Sequence, residues 1–446
     1  MKRILAILFA LSLALVLFTG CGNNGAGETA PPPAADVDDT EAADDAGADT
    51  AAPLESVTVT MWSWSEPWTD VFMVYLADHP HIEFDHQFVD SGDYVTRLMT
   101  AVNAGADVPD IGWIEMGWRG HVAWIEGLWE NLEAEPYNLD RNDMLDFLIP
   151  LATGVGGYII GIECGPSPSG IAYKRGMALE FFGTDDPDEL SEMFPTWEAM
   201  FQEGARILEE TNGRVHLWAS MGDLTGILFN QSDIPHVVDG RLNLENSVGP
   251  AFELLEMALE LGIISQVDQW SPAWNASFAE RDAIFYYGPS WMPTHVIKPN
   301  DPDGAGDWGI FLPPGGAVNI GGTLFGIPSM ATNKIEAWEM IRWATFSIEG
   351  AEVVRDIMEY TSAYRPVYDI EGFYDIPDPF FAGQALLQKF AELSFHVHPR
   401  ALIPYDSAVN GALWEGMLEV RDGMSVEDAI RHMEDEVIRQ IPELQR

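Results

Sequence analysis

A two-lobed α/β fold is what this sequence predicts, and three observations carry the expectation. Short runs of β-branched and aromatic residues alternate with helix-period segments from position 57 onward, the pattern of parallel strands joined by helical crossovers. About 390 residues follow position 56, more than one hydrophobic core usually serves. The stretch 278–329 reads as two strands and a glycine-rich return that carries the chain between lobes. It sets Trp291 on the wall of the cleft between them, just past a strand's carboxyl end, where ligands collect in open α/β sheets.

Taken in order, Lys2-Arg3 followed by the apolar run Ile4 to Phe18 predicts an export signal over 1–20. The run is short for a membrane span. Phe18-Thr19-Gly20-Cys21 resembles a bacterial lipobox, which implies acylation of Cys21 and stable anchoring by two or more chains. Residues 21–55 shift to Ala, Asp, Gly, Thr and Pro, too polar to bury a core, so they predict a disordered acidic tether. With Cys21 acylated, Cys164 has no partner and no disulfide is expected.

Val57 to Trp62 alternates as a strand and Ser63-Trp64-Ser65-Glu66-Pro67 is its loop. A helix follows over 69–77, a strand over 82–89, and a helix over 94–104 with Asp93 as its cap and Gly105 as its stop. Ile111 to Ile114 is a third strand, with a helical stretch around Trp124 beyond it. Tyr158 to Glu163 is a strand leaving the first lobe, and Gly165-Pro166-Ser167-Pro168-Ser169-Gly170 is a turn-rich hinge before the strand Ile171-Ala172-Tyr173. Thr196 caps a helix that presents Trp197, Phe201, Ala205 and Leu208 on one face. Further helices are expected at 250–261, 335–346, 407–421 and 426–438. Ala283 to Tyr287 is a buried strand stopped by Gly288-Pro289, and Trp308 to Leu312 is another. These elements place lobe 1 at 56–163 plus about 315–362 and lobe 2 at 164–314 plus about 363–446.

The formal charge is −49, from 22 Lys+Arg against 71 Asp+Glu. Such a surface repels phosphate backbones and anionic lipid, which excludes nucleic acid and electrostatic membrane docking by the body. None of the ten histidines forms a metal-ligand spacing, and no cofactor is expected.

The order of Val57 to Trp64, Asp93-Tyr94, Pro109-Asp110-Ile111, Pro195-Thr196-Trp197-Glu198, Ala283 to Trp291, Gly321-Gly322, Ala337-Trp338-Glu339 and Arg365-Pro366 resembles the family 1 extracellular solute-binding proteins of bacterial ABC importers. The resemblance implies a type II periplasmic-binding-protein fold, maltose-binding-protein-like, in which two α/β lobes close on a sugar or oligosaccharide and hand it to a membrane permease. It also implies a non-enzymatic monomer at the outer face of the cytoplasmic membrane, with Gly322 and Arg365 near the ligand. Where relatives often carry Tyr-Asn, this chain has Tyr173-Lys174.

The chemistry of a pyranose, an apolar C–H face with a rim of hydroxyls, calls for aromatic platforms and polar groups in loops. Trp64, Trp118 and Trp291 are the expected platforms, with Trp274 as a further one. Glu66, Glu115 and Asp223 are the hydroxyl acceptors, and Arg119 and Arg365 the donors. Structural alternatives stand beside each: Glu115 and Asp223 as helix caps, Arg119 paired to a carboxylate, the tryptophans as core. Trp197, Trp338 and Trp343 are assigned to helix faces. A polyamine ligand and a Glu115/Asp223 glycosidase pair are the competing readings.

Overall fold

The computed structural model describes residues 55–446; the export signal, Cys21 and the tether over positions 21–54 lie outside the described residues. In the first lobe, β1 (Val57–Ser63) and β2 (Ile82–Phe88) pair in parallel from Val57↔Ile82 to Ser63↔Phe88. The helix Trp68–Leu76 between them buries Trp68, Val71, Phe72 and Tyr75, an i, i+3, i+4, i+7 spacing that lays one stripe on the sheet. Helix Ser91–Ala104 starts earlier than expected because Asp90, not Asp93, caps it, its side chain accepting the Gly92 N–H at 2.9 Å. Gly105 ends it at φ 61°. β3 (Gly112–Glu115) is joined to β1 by the Met61↔Ile111 bridge, and β4 (Gly161–Glu163) is the last strand before the chain leaves this lobe. The helix expected around Trp124 lies earlier, at Met116–Val122, because Glu115 caps it.

The second sheet begins with β5 (Pro168–Lys174), buried throughout. The expected turn over 165–170 is therefore half strand: a proline is tolerated as a strand's first residue, where no ladder donor is required. β6 (His216–Trp218), the small hairpin β7 (Val237–Val238) and β8 (Arg241–Leu242), β9 (Ala283–Pro289), β10 (Trp308–Phe311) and β11 (Val318–Asn319) follow. The order is β10-β5-β9-β6, with β11 also on β5. Gly288-Pro289 does not stop β9; it pairs as Gly170↔Gly288 and Ser169↔Pro289, two proline- or glycine-bearing strand ends meeting each other. β12 (Thr323–Gly326) then returns to the first lobe between β3 and β4, antiparallel to both.

The all-parallel expectation is thus corrected to mixed sheets. β1/β2 and β6/β9 are parallel, while β5 and β12 arrive from the other lobe and run antiparallel to their neighbours. Sheet membership puts chain crossings at 164–167 and at 320–322. Trp197 and Trp338 are buried and Trp343 is partly buried against the core. Lys174 is enclosed among Tyr286 and Trp308, donating from Nζ to the carbonyls of Ser277 and Glu280; burial lowers its pKa to about 8. Among the described residues no helix is long and apolar enough to cross a membrane.

Candidate binding site

Both crossings open onto a cleft of about 1080 Å³. The first lobe contributes Trp64, Glu66, Phe88 and Glu115, at or just past the carboxyl ends of β1, β2 and β3, and Trp113 from within β3. The second contributes Gln269, Trp270, Tyr287 and Trp291, the crossings add Cys164, Gly165, Ile320, Gly321 and Gly322, and Tyr360 joins them from beyond helix Ile348–Met358. Among the lining residues the acids are Glu66 and Glu115, and there is no lysine or arginine.

The aromatic walls are built differently. Trp64 meets Trp113 edge-on at 4.8 Å and Tyr94 at 5.7 Å, so its ring is braced from behind. Opposite, Trp270 and Trp291 lie nearly parallel, 20° apart with centroids 6.0 Å apart. Tyr287 stands edge-on to both. The Trp291 indole N–H donates to the Ile320 carbonyl at 3.0 Å, and a Cβ on Gly321 would come within 3.1 Å of that nitrogen. Gly321 has φ 81°, so this close approach of the crossing to the indole needs glycine on two counts.

Trp270 was not among the residues expected from sequence, and it is the most unusual of them. It is 56% exposed, and its φ is 68°, left-handed backbone that a bulky residue rarely adopts. Its neighbour Trp274, which was expected in the cleft, is fully buried. Ser271 and Pro272 explain the exchange. Ser271 caps the helix Pro272–Ser277, accepting the Trp274 N–H at 3.1 Å, which turns Trp274 inward and leaves Trp270 outside the helix.

Asp223 is also corrected: it is fully buried and does not line the cleft. Its Oδ2 accepts from the Ser220 hydroxyl (2.6 Å) and the Trp274 indole (2.8 Å), and its Oδ1 from the Tyr287 N–H (3.3 Å) and the Gln269 amide (3.4 Å). It fastens the segments on either side of Trp270 to β9. Burial raises its pKa to about 7, against these four donors, which lower it. Between about pH 4 and 7 the folded protein then holds a proton that the unfolded chain releases, so this contribution to stability is lost as pH rises through about 7. The stability advantage of the wild type over Asp223→Asn is therefore expected to shrink from about pH 5 to about pH 8 in denaturant titrations. An advantage that stays constant between pH 5 and pH 8 would show an Asp223 ionised throughout and held by its donors.

Arg119 is fully buried behind the cleft. Its Nη1 lies 3.2 Å from Glu163 Oε2, and it donates to the carbonyls of Ile114, Leu151 and Gly322. Burial pushes the Glu163 carboxyl up while Arg119 pulls it down. Gly322, at φ 98°, does line the cleft, and a Cβ there would sit 2.5 Å from Glu163 Oε1. Glu115 lines the cleft and caps helix Met116–Val122 through Gly117 N–H (2.8 Å); burial raises its pKa. Trp118 stacks on Tyr94 (5.5 Å, 16°) outside the cleft lining, and Arg365 is exposed away from it.

The structure thus brings together Trp64, Glu66, Glu115, Trp291 and Gly322, and leaves Trp118, Arg119, Asp223, Trp274 and Arg365 out of the lining. The acid and nucleophile of a Glu115/Asp223 glycosidase do not share a cavity. Neighbouring Tyr286 and Tyr287 face opposite sides of β9: Tyr286 bonds to Ser277 in the interior and Tyr287 lines the cleft.

Comparison with known proteins agrees with this architecture. Residues 57–347 match the family model described as bacterial extracellular solute-binding protein. A lactose-binding protein of Rhizobium radiobacter is 21% identical over 407 residues, covering 86% of this chain and 93% of the relative. A solved extracellular solute-binding protein of family 1 superposes with a TM-score of 0.77 at 22% identity, over 86% of this chain and 99% of its own. The galacto-N-biose-/lacto-N-biose I-binding protein of Bifidobacterium longum, in complex with lacto-N-biose, gives 0.69 at 17% identity, over 89% of this chain and 100% of its own. The shared fold is two α/β lobes of the type II periplasmic-binding arrangement.

Proposed function

The chain belongs to the bacterial extracellular solute-binding proteins, and on that premise we propose that it captures a neutral sugar or oligosaccharide between its lobes and delivers it to an ABC permease. The observation that carries this reading is Trp270: an exposed indole held in strained backbone, parallel to Trp291, in a cleft whose only acids are Glu66 and Glu115. A planar ring offers a platform to sugar C–H groups, the carboxylates accept hydroxyl protons, and a lining without cations does not attract an acidic ligand. Trp64, Glu66, Glu115, Trp270, Trp291 and Gly322 are the assigned contacts.

Binding is non-covalent, and ligand that touches both walls shifts the lobes toward closure. Sheet membership supports 56–163 with the return at about 320–326 as lobe 1 and 164–319 as lobe 2, which moves the return from the expected 315 or so; the division at about 362/363 is retained from the sequence. Two or more acyl chains on Cys21 would hold the protein at the outer face of the cytoplasmic membrane, as a monomer. Family membership supports the extracytoplasmic site.

The two acids, in a lining without lysine or arginine, give a polyamine as the second reading. A thermal-shift panel led by lactose and lacto-N-biose, with spermidine beside them, separates the two. A sugar-dependent rise in melting temperature is expected by mass action; a rise with spermidine alone overturns the carbohydrate assignment.

A further inference from the structure

Beside the cleft, on the same seam between the lobes, lies a separate second pocket of about 100 Å³. Three segments line both. Glu115 belongs to the cleft and Met116 and Gly117 to the pocket; Ile320 and Asn319 divide in the same way. Asn230, in the pocket, donates from Nδ2 to the carbonyl of Gly226, in the cleft, at 2.9 Å. The pocket lies where helix Asp406–Arg421, which packs on the second lobe at its far end, meets helix Met116–Val122 of the first. The approach is close: a Cβ on Gly120 would stand 3.0 Å from the Ile403 carbonyl and 3.1 Å from Asp406 Cβ.

Unlike the cleft, this pocket has no aromatic side chain in its lining; Asn230, Asn319, Asn410 and Ser232 stand around Arg400 and Asp406, with Met116, Leu151 and Leu402 beside them. Two buried atoms of that pair, Arg400 Nε and Asp406 Oδ1, have no hydrogen-bond partner among the described residues. Asp406 is only 4% exposed. Its Oδ2 accepts the Ile403 N–H at 2.7 Å, but its Oδ1 stands 3.6 Å from Arg400 Nη2, too far for a hydrogen bond. A buried donor and a buried acceptor left unpaired side by side are costly, and one chemical group answers both. A hydroxyl donates to Oδ1 and accepts from Nε.

Resting on the carbohydrate reading above, we propose that this pocket is an additional sugar subsite, in which Arg400 and Asp406 bind hydroxyls of a ring one step along the chain from those stacked on Trp270 and Trp291. The polar side chains suit the hydroxyl edge of one ring, the neighbouring Met116, Leu151 and Leu402 its C–H groups, and the small volume sets the ligand's length. Burial holds Arg400 below and Asp406 above their ordinary pKa ranges, as expected of charges not yet fully compensated.

Calorimetry with linear neutral galacto- and malto-oligosaccharides of two to five rings tests the assignment on the wild type, Arg400→Gln and Asn410→Ala. Asn410 is exposed on a helix, so its replacement probes the pocket without disturbing the buried pair. In the wild type, affinity is expected to rise about 10-fold at one added ring, the size of a hydrogen bond to a charged group. In both variants that step should fall below about two-fold while the shorter sugars keep their affinity. A wild type without the step, a step surviving in both variants, or an equal loss at every length overturns the subsite. A wild type that binds no sugar of any length overturns instead the carbohydrate reading beneath it.

Discussion

Replacing Trp270 with glycine is expected to weaken sugar binding by about 2–3 kcal/mol, roughly 30- to 160-fold, while the fold keeps its stability to within about 1 kcal/mol. The two halves of this expectation have separate causes. The indole is exposed beside Trp291, so its loss removes a stacking surface and little of the core. The backbone at φ 68° is strained for tryptophan and relaxed for glycine, which offsets the lost packing on Trp274. Trp291 is a poorer test, because its indole also anchors the Ile320 carbonyl and its removal disturbs the crossing. Unchanged calorimetric affinity in a folded Trp270→Gly protein would remove this residue from the site.

Arg119→Met is expected to cost about 3–5 kcal/mol of stability, because it leaves Glu163 buried without its partner. The guanidinium also ties the carbonyls of Ile114, Leu151 and Gly322 together, so the damage falls on the join between β3, the first-lobe helix and the glycine crossing. Adding Glu163→Leu should restore part of the loss by removing the stranded carboxyl, but not the three carbonyl contacts. Chemical denaturation midpoints of the single and double variants check this. A single variant as stable as the wild type would show that the pair contributes nothing to the crossing.

These two residues also mark what the sequence could and could not reveal. The apolar run of β9 and the tryptophan beyond it are local signals, and so is the loop after β1; they lead directly to Trp291, Trp64 and Glu66. Arg119 carries the same residue type as a hydroxyl donor, but its role depends on Glu163, a strand away in space and distant in sequence. Asp223 looks like a free loop acid and is consumed by four donors from three segments. Nothing local announces such partners. Trp270 was legible in principle, since Ser271-Pro272 marks a helix start and places the residue before it outside, while Trp274 falls inside the first turn. Strand direction was misjudged for a different reason: β5 and β12 are inserted from the opposite lobe, and alternation of strand and helix does not encode that. The second pocket combines residues from 116 to 410 and has no sequence signature.

The most direct measurement is calorimetric titration of the protein with lactose, lacto-N-biose and spermidine in parallel. Saturable heat with at least one sugar, abolished or sharply weakened in Trp270→Gly, and none with spermidine, is the expected result. Silence with both sugars and saturable binding of spermidine would contradict the account.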